Sequence, residues 1–155
     1  MLNSLTRSYI LFFFLLGATH LSNRVAFADV QISALNDLSF GTWSGTGDME
    51  QTDAVCVYNT VNANYKITGT APGGIFRMAN GGNNLNYEVR FQGSSGGFVQ
   101  LTHGTSSSFT AANTSSWNCS GGTNATLKVT VTEGALSAAA TGNYTGTLYL
   151  LLEPN

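Results

Sequence analysis

Cys56 and Cys119 are the residues whose chemistry the sequence indicates most directly. An even number of cysteines in an oxidising compartment predicts a disulfide, which here would close a loop of roughly 64 residues. The alternative is a pair of buried free thiols. A zinc site is a poorer interpretation, because the two cysteines form no CxxC pair and have no histidines nearby.

Catalytic residue types are sparse after residue 28, where His103 is the single histidine. Ser106–Ser108 follow it closely, but a catalytic triad also needs an orienting acid and an oxyanion hole, so a polar loop histidine is the simpler interpretation. The densest acidic cluster is Asp48, Glu50 and Asp53. It lacks the further ligands of a calcium loop and favours a solvated turn. We therefore predict no enzyme activity, no metal site and no cofactor.

Two tryptophans, Trp43 and Trp117, could bind a sugar by stacking, with Tyr58 and Tyr149 as further candidates. The alternative is that the tryptophans fill the core or shield the disulfide, since Trp117 lies two residues before Cys119. Nucleic acid is a poor ligand for this chain, because six basic residues and a pI near 5.5 cannot neutralise many phosphates.

The first 28 residues have the pattern of a secretory signal peptide. Arg7 supplies the basic region, residues 9–18 form an apolar stretch too short to span a bilayer, and residues 26–28 read Ala-Phe-Ala. We predict cleavage after Ala28, a mature domain over residues 29–155 and no stable membrane insertion afterwards; the alternative is a retained anchor. Removal of Arg7 and Arg24 would leave four of the six basic residues against eight acidic ones.

The mature segment reads as a single all-β domain, because apolar and polar residues alternate with a period of two and glycine-rich clusters separate the runs. Eight or nine short strands at this spacing indicate an antiparallel sandwich. One stretch, residues 133–140, allows a helix of a turn or two. The candidate strands are Val30–Leu35, Leu38–Trp43, Ala54–Tyr58, Tyr65–Thr68, Gly74–Met78, Tyr87–Phe91, Gly97–Thr102, Leu127–Thr132 and Tyr144–Leu152.

The two end segments are unusual. The run Leu148-Tyr-Leu-Leu-Leu152 predicts a strand buried on both faces, although a terminal strand is expected at a sheet edge. It is either a central strand of a closed sandwich or a strand that is covered by another one, including one from a different chain. In the first segment Val30, Ile32 and Ala34 alternate with polar residues, which is the pattern of a strand that adds to another sheet. The alternative is an ordinary first strand of the chain's own sheet.

Three stretches together resemble the spore-coat-protein-U-like domains of archaic chaperone–usher pilus subunits. Leu38-Ser-Phe-Gly-Thr-Trp43 is similar to the start of these domains, and Val55-Cys-Val-Tyr58 followed by Tyr65-Lys-Ile-Thr68 is similar to their next two strands. Residues 140–152, Ala-Thr-Gly-Asn-Tyr-Thr-Gly-Thr-Leu-Tyr-Leu-Leu-Leu, resemble the last strand of many pilins.

The resemblance implies an immunoglobulin-like antiparallel β-sandwich that lacks its final strand. A periplasmic chaperone would lend that strand, and the N-terminal extension of the next subunit would then replace it after delivery to an outer-membrane usher. On this chain the candidate donor is Val30, Ile32 and Ala34. The candidate acceptor edge is Tyr144, Leu148, Leu150 and Leu152.

Two functions follow as expectations. The first is a secreted structural subunit of a surface fibre or pilus, present in the periplasm in transit and then at the cell surface, with other subunits, a chaperone and an usher as partners. The second is a complete secreted β-sandwich that binds a ligand, such as a glycan, through Trp43 and Trp117.

Overall fold

The computed structural model describes residues 29–155, which fold into short strands joined by glycine-rich turns. The signal peptide expected over residues 1–28 lies outside these described residues. The strands are β1 (Val30–Ser33), β2 (Met49–Asn59), β3 (Tyr65–Thr70), β4 (Arg77–Asn80), β5 (Asn83–Asn86), β6 (Glu88–Gln92), β7 (Val99–Gln100), β8 (Ser106–Phe109), β9 (Ala125–Val131) and β10 (Tyr149–Pro154). One α-helix, α1 (Glu133–Ala138), and a 3₁₀ turn, Cys119–Gly121, complete the elements.

The strands form two main sheets and a hairpin. The larger sheet has the order β1-β2-β9-β6-β7, the smaller one has the order β10-β3-β8, and β4 pairs with β5. Every ladder between these strands is antiparallel. The prediction of an all-β antiparallel protein is therefore confirmed.

The core lies where the inward-facing residues of both sheets meet. Tyr65 and Ile67 of β3 are buried, and so are Val89 and Phe91 of β6, as their alternation with polar residues predicts. The Phe91 ring meets Phe109 edge-on, with ring centroids 5.0 Å apart, which is a preferred aromatic geometry.

Helix α1 is as short as its glycine-flanked sequence predicts. Thr132 caps it, because its side-chain oxygen accepts a hydrogen bond from the Ala135 N–H. The Asp48 carboxylate accepts a second bond from the N–H of Glu133, at 2.7 Å. Within residues 29–155 the structure contains no helix that is long and apolar enough to cross a membrane.

The strand predicted over Leu38–Trp43 is wrong, because the chain is irregular there. Gly41, Gly45 and Gly47 all have positive φ, which curls the segment away from an extended path. The curl lets the Trp43 indole N–H donate to the Gly47 carbonyl at 2.9 Å.

The strands predicted over Gly74–Met78 and Gly97–Thr102 are shorter in the structure. The first begins only at Arg77, because Gly73 and Gly74 form a turn with positive φ. The second is reduced to β7, which has two residues and follows another positive-φ glycine, Gly96.

The last strand also differs from its prediction. It starts at Tyr149 rather than Tyr144 and runs on to Pro154. The expectation that both of its faces are buried is wrong, since Tyr149 and Leu151 are each 57% exposed. The reason is that the smaller sheet packs on the core with one face only, so the alternate residues of β10 lie on its outer face, which no other layer of the described chain covers.

Candidate functional site

Strand β10 presents a free edge above an incompletely covered part of the core. It pairs with β3 on one side, with Leu150 opposite Gly69 and Leu152 opposite Ile67. On its other side it forms no ladder with any strand of the described chain. Leu148, Leu150 and Leu152 pack against the core and remain partly exposed. The structure thus places these three predicted acceptor leucines in one inward-facing row.

Tyr144 lies outside the strand, in the segment that precedes it. It is partly buried against the core cluster, and its hydroxyl donates to the Ala140 carbonyl at 2.8 Å. The residues between it and β10 join the β4–β5 hairpin through a bridge from Thr145 to Ala79. The acceptor edge predicted as one strand is therefore a bridged loop followed by β10.

The other free edges are less suited to receive a strand. At the far edge of the larger sheet, β7 has only two residues. At the far edge of the smaller sheet, β8 is Ser106-Ser-Ser-Phe109, which offers mainly hydroxyl groups. Very short edge strands are one way in which proteins discourage strand pairing. The β10 edge has six residues and a leucine row instead.

Strand β1 lies beside β10. It pairs antiparallel with β2 of the same chain, with Val30 opposite Asn59 and Ile32 opposite Val57. These pairings turn Val30 and Ile32 toward the core side, where Ile32 packs against the core cluster. The predicted donor segment thus forms part of the chain's own sheet here. Ala34, its third apolar residue, falls after the strand and has φ of 62°.

The space between β1 and β10 is a seam between the edges of the two sheets. Cα atoms of β1 and β10 approach within 8 Å of one another, but the two strands share no ladder. Facing sheets normally stand about 10 Å apart and paired strands about 5 Å apart. Strands β1 and β10 are therefore close neighbours that do not pair with each other.

The predicted disulfide between Cys56 and Cys119 is confirmed, with Cα atoms 5.8 Å apart. Cys56 is buried opposite Ser33 of β1, and Cys119 lies in the loop that crosses the outer face at this point. The Ser33 hydroxyl donates to the Trp117 carbonyl in that loop, at 3.3 Å. The bridge therefore fixes a loop against the end of β1.

The two candidate ligand tryptophans lie in loops, and neither belongs to the buried core. Trp117 is 58% exposed, so it does not fill the sandwich. Trp43 is partly buried in its glycine-rich loop. Tyr149 is exposed on the outer face of β10, and Tyr58 is partly buried on β2.

His103 lies in the turn between β7 and β8, as a loop histidine would. Its Nε2 accepts a hydrogen bond from the Ala71 N–H at 2.9 Å, and its ring packs against Phe76 with centroids 5.3 Å apart. The structure records no hydrogen bond from His103 to a serine of β8 among the described residues. The His103 ring therefore links the turn between β7 and β8 to the loop between β3 and β4.

The acidic cluster is divided among separate partners rather than forming a solvated turn. Asp48 precedes β2 and caps α1, whereas Glu50 and Asp53 lie within β2. Lys128 and Thr130 donate to Glu50, and these hydrogen bonds hold the pKa of its carboxyl below the ordinary value. Among residues 29–155 no group of three or more histidine, cysteine or acidic side chains could hold a metal ion.

Sequence reasoning missed the contact between Asn36 and Asp53. Asp53 is only 6% exposed and lies on the core-facing side of β2. Asn36 covers it, donating from its main-chain N–H to Oδ2 and from its side-chain amide to Oδ1. The available signal was an acidic residue at an inward position of an alternating strand, which requires a nearby donor.

Comparisons with known proteins give a likeness of fold. No protein-family model matches the chain, and no curated protein matches it significantly. A chain from a chaperone–tip adhesin complex of CFA/I fimbriae biogenesis superposes with a TM-score of 0.56 at 15% identity, over 82% of this chain and 43% of that chain. The present chain therefore spans less than half of that protein's length.

Two further solved structures are similar at lower scores. The P pilus rod subunit PapA has a TM-score of 0.49 at 21% identity, over 90% of this chain and 99% of PapA. A chain of the CsuC–CsuE pre-assembly complex from archaic Csu pili of Acinetobacter baumannii has a TM-score of 0.46 at 17% identity, over 82% of this chain and 40% of that one. The strand order and the first likeness agree with the predicted immunoglobulin-like antiparallel β-sandwich.

Proposed function

We propose that the chain is a secreted structural subunit of a surface fibre or pilus, assembled by donor-strand complementation at the edge of β10. The observation that carries the proposal is the row of Leu148, Leu150 and Leu152, which packs on the core below a strand edge with no partner in the described chain. A long apolar edge of this kind favours pairing with another strand.

The donor in this proposal is the Val30–Leu35 segment of a second copy or of another subunit. Its Val30 and Ile32 side chains already lie on one face in β1, as a donated strand requires. Main-chain hydrogen bonds to β10 would supply affinity, and the alternate apolar side chains would cover the leucine row. Burying several aliphatic side chains contributes on the order of 5 kcal/mol before the costs of ordering the donor.

The proposed partners before assembly are a periplasmic chaperone and an outer-membrane usher. The chain with the TM-score of 0.56 comes from a complex between a chaperone and a tip adhesin, which gives this choice its support. The proposed location is the periplasm during transit and the cell surface afterwards. The proposed mechanism is folding and binding, without a chemical step.

The experiment is expression of the mature chain, residues 29–155, in a periplasm that lacks any helper protein. The product is analysed on a sizing column with and without a synthetic peptide that copies Asp29–Leu35. Binding of the peptide, with slower proteolysis and less aggregation than in its absence, is the expected result. A stable monomer that does not bind the peptide would contradict the proposal.

A matched pair of variants distinguishes the inward leucine row of β10 from the outer face of the same strand. Leu150→Asp puts a charge into the inward row, whereas Leu151→Asp puts the same charge on the exposed outer face. We expect the first variant to be exported but to lose multimers and peptide binding, while the second keeps both. Circular dichroism of each purified variant checks that it is folded. Normal multimers from Leu150→Asp would count against strand donation at this edge.

The second candidate function is a complete sandwich that binds a ligand such as a glycan. The exposed indole of Trp117 favours it, because a free aromatic face can stack on a sugar. Glycan-array binding that is lost in Trp117→Ala or Trp43→Ala, in a monomer that ignores the peptide, would support this function. Unchanged binding in both folded variants would exclude these tryptophans as the site.

A further inference from the structure

Strand β1 ends at a residue in an unfavourable conformation. Ala34 has φ of 62°, in the left-handed region that residues with a Cβ atom rarely adopt. For alanine this conformation is disfavoured by roughly a factor of ten relative to an ordinary one. The kink stops the alternating segment Val30–Ala34 from continuing as an extended strand past Ser33.

The chain immediately after the kink is held firmly. Asn36 donates to both carboxylate oxygens of the buried Asp53, at 2.7 and 2.8 Å, and its side-chain amide also donates to the Ala34 carbonyl at 3.1 Å. Moving Asn36 away would leave the Asp53 carboxylate on the inward face without these donors, which is costly for a buried charge. Asn36 is therefore the point at which the chain after the kink is anchored to β2.

The chain before the kink is held by its ladder with β2, by the core contact of Ile32 and by a few side-chain hydrogen bonds. Its four residues pair only with β2, at the edge of the larger sheet. The additional bonds join Ser33 to the Trp117 carbonyl and Asp29 to Thr60, and all of them are exposed. The residues of β1 are only partly buried, and short strands at a sheet edge open locally at a lower cost than central strands do.

The position of β1 obstructs the seam. A strand that pairs with both neighbours needs about 9.5 Å between them, which is twice the spacing of paired strands. Cα atoms of β1 and β10 approach within 8 Å, so the seam is too narrow at these points for a third strand. A donated strand can occupy the seam fully only if β1 moves aside.

We propose that Asp29–Ser33 is a displaceable flap, hinged at Ala34, that closes the β10 edge until the corresponding segment of a second copy takes its place. This role rests on the function proposed above. The clasp between Asn36 and Asp53 keeps the rest of the sandwich in place while the flap opens. Opening lets Ala34 return to an extended conformation, and this relief offsets part of the lost pairing with β2.

Hydrogen–deuterium exchange of the mature chain tests the hinge. Ala34→Val strains the left-handed position further, because a β-branched side chain tolerates it poorly, and we expect exchange of the Val30–Ser33 amides to rise about tenfold. Ala34→Gly removes the strain and should slow the same exchange severalfold. Ala34→Val should also bind the Asp29–Leu35 peptide faster than the parent chain, and Ala34→Gly should bind it more slowly.

Ala111 provides the matched control, since it is a second alanine with a left-handed φ, of 64°, outside the flap. Ala111→Val and Ala111→Gly should change global unfolding without a selective change at Val30–Ser33, relative to amides of β9. Equal effects of the two sites on the flap, or no response to Ala34→Val, would overturn the hinge. A selective response without any peptide binding or multimers would uphold the hinge and contradict strand donation instead.

Discussion

The main-chain N–H and the side-chain amide of Asn36 donate to different oxygens of the Asp53 carboxylate, at 2.7 and 2.8 Å. One residue thereby supplies both hydrogen bonds recorded for a buried charge on the inward face of β2. A single asparagine outside the sheet thus determines whether an acidic residue can be tolerated there.

Replacing Asn36 with alanine should lower the free energy of unfolding by about 1–3 kcal/mol, because one oxygen of a buried carboxylate loses its donor. Urea titration measures the change. Asn86→Ala is the control, since Asn86 is exposed on β5 and its side chain forms no hydrogen bond recorded in the described chain. Equal losses of unfolding free energy in the two variants would show that the hydrogen bonds between Asn36 and Asp53 make no specific contribution to stability.

Asn124 stabilises β2 by imitating a neighbouring strand. Its side-chain oxygen accepts from the Val57 N–H at 2.7 Å, and its amide nitrogen donates to the Val57 carbonyl at 2.9 Å. Asn124→Asp removes that donor and should cost about 1–3 kcal/mol in thermal or urea unfolding.

Asn118→Asp is the matched control for this substitution. Asn118 uses only its side-chain oxygen, which accepts from the Ser116 hydroxyl and the Ser120 N–H. An aspartate keeps that role, so we expect a change of less than about 0.5 kcal/mol, as at most surface positions. A larger loss at position 118 than at 124 would contradict the assignment.

Loss of the disulfide should be severe for a sandwich of this size. The double variant Cys56→Ala/Cys119→Ala releases a constraint across 63 positions of the chain, which the chain-entropy model values at about 4 kcal/mol. Guanidinium unfolding of the oxidised, reduced and double-variant proteins gives the difference. A loss below about 1 kcal/mol in both the reduced and the double-variant protein would indicate that the unfolded chain is restrained by other means.

Alkaline pH should destabilise the fold through Tyr65. Burial raises the pKa of its hydroxyl to about 12, whereas the unfolded chain titrates near the ordinary value of 10. The stabilisation is therefore complete below pH 10 and is lost as the pH rises toward 12, by up to about 3 kcal/mol. Burial also raises the pKa of Tyr87, which adds to the same trend.

Tyr65→Phe tests this dependence, because the ring can keep its stacking on Phe109 at 5.7 Å while the titrating group is removed. Unfolding free energies measured between pH 8 and pH 11.5 should fall less steeply in the variant than in the parent chain. Identical slopes would show that Tyr65 does not carry the effect.

The sequence was sufficient for the β class, the short helix, the disulfide and the inward residues of β3, β6 and β9. These features depend on local alternation or on a two-member cysteine set. The strand predicted over Leu38–Trp43 failed because glycine at positions 41, 45 and 47 gives access to positive φ, and the alternation of neighbours does not reveal which glycines use it.

The remaining differences concern position in a sheet, which local patterns do not encode. The leucine run of β10 reads as buried on both faces, but a strand in an outer layer of a two-sheet sandwich has one solvent-exposed face whatever its composition. The kink at Ala34 was equally hidden. Alanine carries no turn signal, and the hydrogen bonds that hold Asn36 beside Asp53, two residues after the kink, join residues 17 positions apart in the chain.

The pairing of β2 with β9 has a consequence for the order of folding. Met49 lies opposite Val131, so the centre of the larger sheet joins segments from opposite parts of the chain, and β3 likewise acquires β10 only at the end of the sequence. Such distant pairings close slowly and leave strand edges bare in the meantime. As the chain is synthesised from its N-terminus, β2 and β3 therefore lack these partners until the second half is available, and the length of that delay governs their exposure to proteolysis.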